Sequence, residues 1–289
     1  MQTEPVLTFQ NVDISYAGKA VVHDVSFLVR PGEILGIVGE SGSGKSSLLR
    51  AAIGLLGADG LVTRGDIFFD GKNLPDLPEK ELQKIRGRQI GMVFQDAKSS
   101  FCPTRTIGAQ ITESMRAQSE RPAKDDTSRT GALSTGAYTR ISRKEAQLRA
   151  KEQALELFEK LRLADGKRVW DSYPFELSGG MCQRAAIASA MLLNPRVLLA
   201  DEPTSALDTV LQREVIAEML RVRELFGTAI LLVTHNSGAA AAAADRILVL
   251  RDGRVCEYGN TRQVLQDPQS DYTRQLLSAV PQLRQPAQP

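Results

Sequence analysis

Residues 33–46 read Glu33-Ile-Leu-Gly-Ile-Val-Gly39-Glu-Ser-Gly-Ser-Gly-Lys45-Ser46, an apolar run that breaks into glycines and ends on a lysine and a hydroxyl. The apolar half has the pattern of a short strand buried on both faces, as in a mainly parallel sheet. The other half fits G-x-x-x-x-G-K-[ST] and leads into a predicted helix from about Lys45 to Leu56. Strand, glycine loop and helix in that order begin an α/β domain. Glycine at positions 39, 42 and 44 lets the backbone approach an anion closely, so that successive N–H groups and the helix N-terminus face phosphate oxygens. Lys45 is expected at the β and γ phosphates of a nucleotide and Ser46 on a magnesium ion.

Upstream, Val6 to Phe9, Ile14 to Tyr16 and Val25 to Val29 read as strands, with a turn at Pro31-Gly32. Downstream, strands are expected at Asp66 to Phe69 and Ile90 to Phe94, separated by a helix over Pro78 to Arg86. From about Thr106 the sequence turns helical, and Arg143 to Leu163 forms an amphipathic helix with Leu155, Phe158 and Leu161 on its apolar side. A helical subdomain inserted at about residues 96–193 is expected. Within it, residues 118–142 are rich in Ser, Thr, Arg, Ala and Gly and read as a solvated extension. The α/β alternation resumes with strand Val197 to Ala200, helix Val210 to Phe226, strand Ala229 to Thr234 and an alanine-rich helix, Gly238 to Ala244. A hairpin follows, Arg246 to Leu250 and Val255 to Tyr258 around Asp252-Gly253, and the tail from Pro281 is expected to be disordered. No internal repeat is evident.

Composition narrows the function classes. The 289 residues are 42% hydrophobic, enough for a substantial core, and 36 basic residues nearly cancel 34 acidic ones, which disfavours nucleic acid as a partner. No apolar run approaches the roughly 18–20 residues that cross a bilayer. The start, Met1-Gln-Thr-Glu-Pro, has no signal-peptide character, which suggests the cytoplasm. Three scattered cysteines (Cys102, Cys182, Cys256) and two histidines (His23, His235) are poor material for a disulfide framework or a zinc site.

Two further stretches carry chemistry. Val197 to Ala200 runs into Asp201 and Glu202, acids expected at the carboxyl end of a strand, where ligands bind in parallel sheets. Asp201 is placed to hold a metal's hydration shell and Glu202 to polarise a water for in-line attack on the γ phosphate. Leu177-Ser-Gly-Gly-Met181 precedes an apolar helix, Ala185 to Leu193, for which Ser178 is a plausible N-cap whose helix dipole faces a second phosphate group.

Together these residues resemble the ATP-binding subunit of an ATP-binding cassette (ABC) transporter, over nearly the whole chain and with the motifs in the family's order. Gln95 in Val-Phe-Gln-Asp is similar to the Q-loop, Ser205-Ala-Leu-Asp208 to the D-loop, and Thr234-His235 to the switch histidine. Tyr16 stands where the family stacks an aromatic ring on adenine. The resemblance implies a P-loop NTPase cassette: a mixed-sheet core, an N-terminal antiparallel β subdomain and an inserted helical subdomain, with the cassette over residues 5–262 and a tail over 263–289.

It also implies ATP held by Tyr16 and by Gly39, Glu40, Ser41, Gly42, Ser43, Gly44, Lys45, Ser46 and Ser47, with Mg²⁺ on Ser46, Gln95 and Asp201. Glu202 would be the general base, with His235 and Gln95 beside it. In a head-to-tail dimer, Ser178, Gly179, Gly180 and Gln183 would contact the partner's ATP, and Ala206 and Asp208 would lie in the dimer contact. Thr106-Ile-Gly-Ala-Gln and the stretch Asp267 to Pro281 look like the peptide, opine and nickel importer branch.

Ala97, Cys102 and Cys182 depart from that branch, and the missing tail cysteine cluster favours its nickel or metallophore side. The implied assembly has a second, related cassette, two transmembrane permease subunits and an extracytoplasmic solute-binding protein, at the cytoplasmic face of the membrane. A non-transport ATPase is disfavoured by the single cassette without coiled-coil arm or zinc cysteines, and an exporter by the importer-like tail.

Overall fold

The computed structural model describes residues 4–119, 143–163, 165–205 and 207–278. The chain opens with β1 (Leu7–Tyr16), β2 (Lys19–Val29), β3 (Ile34–Val38), α1 (Lys45–Ala52), β4 (Gly60–Phe69), β5 (Lys72–Asn73), α2 (Glu79–Ile85) and β6 (Ile90–Val93). Helices α3 (Ala97–Ser100), α4 (Ile107–Ser119), α5 (Arg143–Lys160), α6 (Gly166–Asp171) and α7 (Gly179–Met191) come next. The chain then returns through β7 (Val197–Asp201), α8 (Thr209–Phe226), β8 (Ala229–Thr234), α9 (Ser237–Ala243), β9 (Arg246–Arg251) and β10 (Arg254–Asn260). Two short helices, α10 (Thr261–Gln266) and α11 (Asp271–Ser278), complete the described residues.

Every residue of β3, β7 and β8 is buried, as their unbroken apolar sequences require. They form the centre of a six-stranded sheet ordered β10-β9-β3-β8-β7-β6, parallel except for the antiparallel pair β9–β10. A separate antiparallel sheet, β2-β1-β4-β5, carries the N-terminal strands. Alternation along each central strand divides the interior in two. Leu35, Ile37, Leu199, Leu231 and Val233 pack towards the antiparallel sheet and α1. Ile34, Leu198, Ala200, Ile230 and Leu232 pack towards the helical side, with Phe158, Ile187 and Met219. Each such Leu or Ile contributes about 1.5–3 kcal/mol of burial.

Several boundaries differ from expectation for local reasons. β1 is one strand rather than two: at Asn11 the register shifts, φ is 49°, and the Asn11 N–H donates to Ser26 Oγ at 2.8 Å, so a bulge carries the strand through its polar middle. α1 ends at Ala52, not near Leu56, because Gly54 and Gly57 take positive φ and the Arg86 guanidinium donates to the Ile53 and Gly54 carbonyls at 2.6 and 2.9 Å. α5 closes at Lys160, with Arg162 left-handed and the Leu163 N–H donating to the Phe158 carbonyl at 2.8 Å. The hairpin turn is as expected, with φ of 47° at Asp252 and 74° at Gly253, the pattern of a type I′ turn. Residues 120–142 of the expected extension, and the tail from Pro281, lie outside the described residues; Gln118 and Ser119 end α4.

Candidate active site

Parallel pairing of β3, β7 and β8 brings three chain exits side by side. Val38 stands in register with Thr234, and Asp201 with Val233, so the glycine loop, the acidic pair and His235 emerge at the same end of the sheet. The loop is seated closely: a Cβ on Gly39 would stand 2.1 Å from the Leu250 carbonyl oxygen, which excludes any side chain there. Around the loop opens a cleft of about 360 Å³, lined by Ser41, Gly42, Gly44, Lys45, Ser46, Ser47, Gln95 and Glu202.

Lys45 is only 4% exposed, and its Nζ donates to the Gly39 and Glu40 carbonyls at 2.9 and 2.6 Å. Burial lowers its pKa, against the opposing charges of Glu202, Asp201 and Glu40. Ser46 Oγ donates to Asp201 Oδ1 at 2.7 Å, while burial pushes the Asp201 carboxyl above its usual range. Ser43 Oγ is buried with no protein partner. Tyr16 Oη donates to Ser47 Oγ at 3.3 Å, setting the ring beside the last loop residue.

Glu202 sits in the left-handed region, at φ 46°, held by its N–H on the Val233 carbonyl at 2.9 Å. Such backbone costs about 1–3 kcal/mol. Its Oε2 accepts from Gln95 Nε2 at 3.3 Å and lies 3.0 Å from His235 Nδ1, which must carry the proton since a carboxylate only accepts. The side chain of Glu202 is 13% exposed and that of His235 51%, so the carboxylate stands at the protected end of the cluster.

The second glycine motif lies elsewhere: Ser178, Gly179 and Gly180 do not line the cleft. Ser178 caps α7, accepting the Met181 N–H at 3.2 Å, so the helix begins at Gly179 rather than Ala185. Ser178 is exposed. Gln183 is buried and lines a separate pocket of about 200 Å³ with Gln95 and Asp96. Asp208 caps α8, accepting the Val210 and Leu211 N–H groups at 2.9 and 3.0 Å. Ala206 lies outside the described residues. All three cysteines are free, and burial pushes the Cys182 thiol up to about 11.

Sequence reasoning missed Tyr272. Its Oη accepts the Glu40 N–H at 3.2 Å, from 232 positions further along the chain, and no local pattern signals such a contact.

The donor set suits Mg²⁺. A serine hydroxyl and a carboxylate meet at the cleft, and no group of three or more His, Cys, Asp or Glu among the described residues forms a closed metal cage. Magnesium is typically bound by few protein oxygens together with substrate phosphates.

A family model described as ABC transporter matches residues 22–205. The chain is 36% identical over 285 residues to the dipeptide transport ATP-binding protein DppD of Lactococcus lactis, covering 97% of this chain and 75% of that protein. It is 36% identical over 275 residues to the metal-staphylopine import system ATP-binding protein CntD of Staphylococcus aureus, covering 94% and 92%. The ATP-binding cassette MJ0796, solved as a dimer in a post-hydrolysis state bound to ADP and Pi, matches with a TM-score of 0.67 at 29% identity, covering 89% of this chain and 99% of that one. A glycine loop, a strand-end acid pair and a histidine at one end of the sheet, with a family match that takes in the loop and both acids, place the chain in the ABC transporter family.

Proposed function

We propose that this chain is the ATP-hydrolysing subunit of an importer, energising passage of a small solute (a di- or oligopeptide, nickel or a metal–opine complex) through a membrane permease. The observation that carries the reading is the Glu202 carboxylate, held between Gln95 and His235 at the cleft that contains Lys45. The dipeptide and metal-staphylopine systems to which DppD and CntD belong support the solute class.

In this reading Tyr16 faces the adenine, and the amides of Gly39 to Ser47 with Lys45 hold the β and γ phosphates. Ser46, Asp201 and Gln95 would hold Mg²⁺, which would supply neutralising charge to the phosphates. Glu202 accepts the proton of the attacking water as it adds in line to the γ phosphorus, and ADP departs opposite. The His235 imidazole orients the Glu202 carboxylate and contacts the γ phosphate. Because Ser178, Gly179 and Gly180 stand apart from the cleft, they serve the ATP of a partner cassette, with Gln183 behind them and Ala206 and Asp208 at the dimer contact.

The cassette spans residues 5–262, with the helical subdomain at about 96–193 and a tail at 263–289. Among the described residues no helix is long and apolar enough to cross a membrane. Transport then needs two permease subunits, a second and related cassette and an extracytoplasmic solute-binding protein, with this chain peripheral at the cytoplasmic face. The test is purification of the tagged chain from membranes. Recovery with two permeases, and turnover that rises with the loaded solute-binding protein, is expected; recovery without permeases overturns the reading.

A further inference from the structure

The chain continues past β10 and folds back on it. The Gln269 and Ser270 N–H groups donate to the two Glu257 carboxylate oxygens at 3.0 and 3.1 Å, directing α11 against β10. Tyr272, on the first turn of α11 and 6% exposed, thereby reaches the phosphate loop, where its Oη accepts the Glu40 N–H at 3.2 Å. The Gly39–Glu40 peptide is a single rigid plane. Tyr272 holds its N–H end; its other end, the Gly39 carbonyl, accepts from Lys45 Nζ at 2.9 Å. A rotation of that plane would move one of the two carbonyls that anchor Lys45. The β9–β10 turn braces the same region: the Arg251 guanidinium lies 4.8 Å from the Tyr272 ring centroid, and the Gly253 N–H donates to the Ser43 carbonyl at 3.1 Å.

We infer that Tyr272 is a positioning residue for the phosphate loop: α11 fixes one of the two peptides that anchor Lys45, so that this helix is part of the nucleotide site. The inference rests on the assignment of Lys45 to the phosphates. Tyr272 is not among the residues that line the cleft; it acts through the Gly39–Glu40 peptide.

The test compares Tyr272→Phe, Lys45→Ala and the unaltered full-length chain by titration with a fluorescent ATP analogue, with thermal unfolding and hydrogen exchange of the Glu40 amide alongside. Phenylalanine keeps the ring beneath Arg251 and removes only the hydroxyl. Tyr272→Phe is expected to raise the Kd about 2- to 10-fold, the worth of one hydrogen bond, with the thermal midpoint nearly unchanged and faster exchange at Glu40. Lys45→Ala is expected to weaken binding further. An unchanged Kd for Tyr272→Phe beside a weakened Lys45→Ala overturns the inference and leaves the reading of Lys45 standing, as does a lowered midpoint with no change in Kd. Normal binding by Lys45→Ala overturns that reading and the inference with it.

Discussion

At the scale of single residues, Lys45 and Glu202 are held in different ways, and the proposed reading gives binding to one and chemistry to the other. Lys45 is bound to its own loop through two carbonyls, and burial lowers its pKa. Removing a buried cation from a charge-assisted contact costs about 1.5–3 kcal/mol, so Lys45→Ala is expected to bind ATP roughly 10- to 100-fold more weakly by calorimetry. Glu202 differs in kind: its carboxylate bonds Gln95 and His235 and makes no bond to the loop. Glu202→Gln keeps the shape and one acceptor oxygen but loses the proton-accepting charge. Phosphate release is expected to fall about 10²- to 10⁴-fold while ATP affinity stays nearly level, and undiminished turnover would sink the assigned role.

At the scale of elements, packing and polar tethers set the limits. In α4, a Cβ on Gly108 would stand 2.3–2.5 Å from the Trp170 ring of α6, which is 4% exposed. Gly108→Ala forces those helices apart and is expected to cost about 1–3 kcal/mol, read as a lower thermal midpoint with ATP affinity unchanged. The segment leading into α11 is tethered through a charge. Burial would raise the Glu257 carboxyl, but the Gln269 and Ser270 N–H groups and Arg274 outweigh it and hold the pKa below its ordinary value. A depressed carboxyl contributes its stability above the unfolded value and loses it as pH falls through the folded one. Protection of residues 271–278 from hydrogen exchange, taken relative to the intrinsic rate at each pH, is therefore expected to fall as the medium is acidified through that range. Glu257→Gln is expected to show the faster exchange already at neutral pH; identical exchange in the two proteins would refute the tether.

Elements governed by local signals were legible in the sequence. Unbroken apolar runs marked β3, β7 and β8, and Asp252-Gly253 marked the β9–β10 turn. The end of α1 was not, because it depends on Arg86 reaching back across 33 positions. The site divides in the same way: the loop, the acids and His235 are strand-end motifs, whereas Tyr272 is fixed only by tertiary folding.

At the scale of the whole molecule, the cleft and the second glycine motif lie apart. The phosphate loop and Glu202 share one cavity, and Ser178, which caps α7 and is exposed, lies outside it. The near-zero net charge, +2, sets up no strong repulsion between two cassettes. A dimer that traps ATP between the loop of one cassette and the signature of the other would complete the site, and blocking hydrolysis should make it accumulate. Glu202→Gln with ATP and Mg²⁺ is therefore expected to elute as a dimer in size-exclusion chromatography with light scattering, by pairing with a second, related cassette when both are supplied. Ser178→Asp tests the contact without removing the cap, since aspartate caps a helix as well as serine does. The added carboxylate repels a γ phosphate, so the Glu202→Gln, Ser178→Asp chain is expected to bind ATP normally and remain monomeric. Dimers forming equally well with that double variant would show that α7 does not meet the partner's nucleotide.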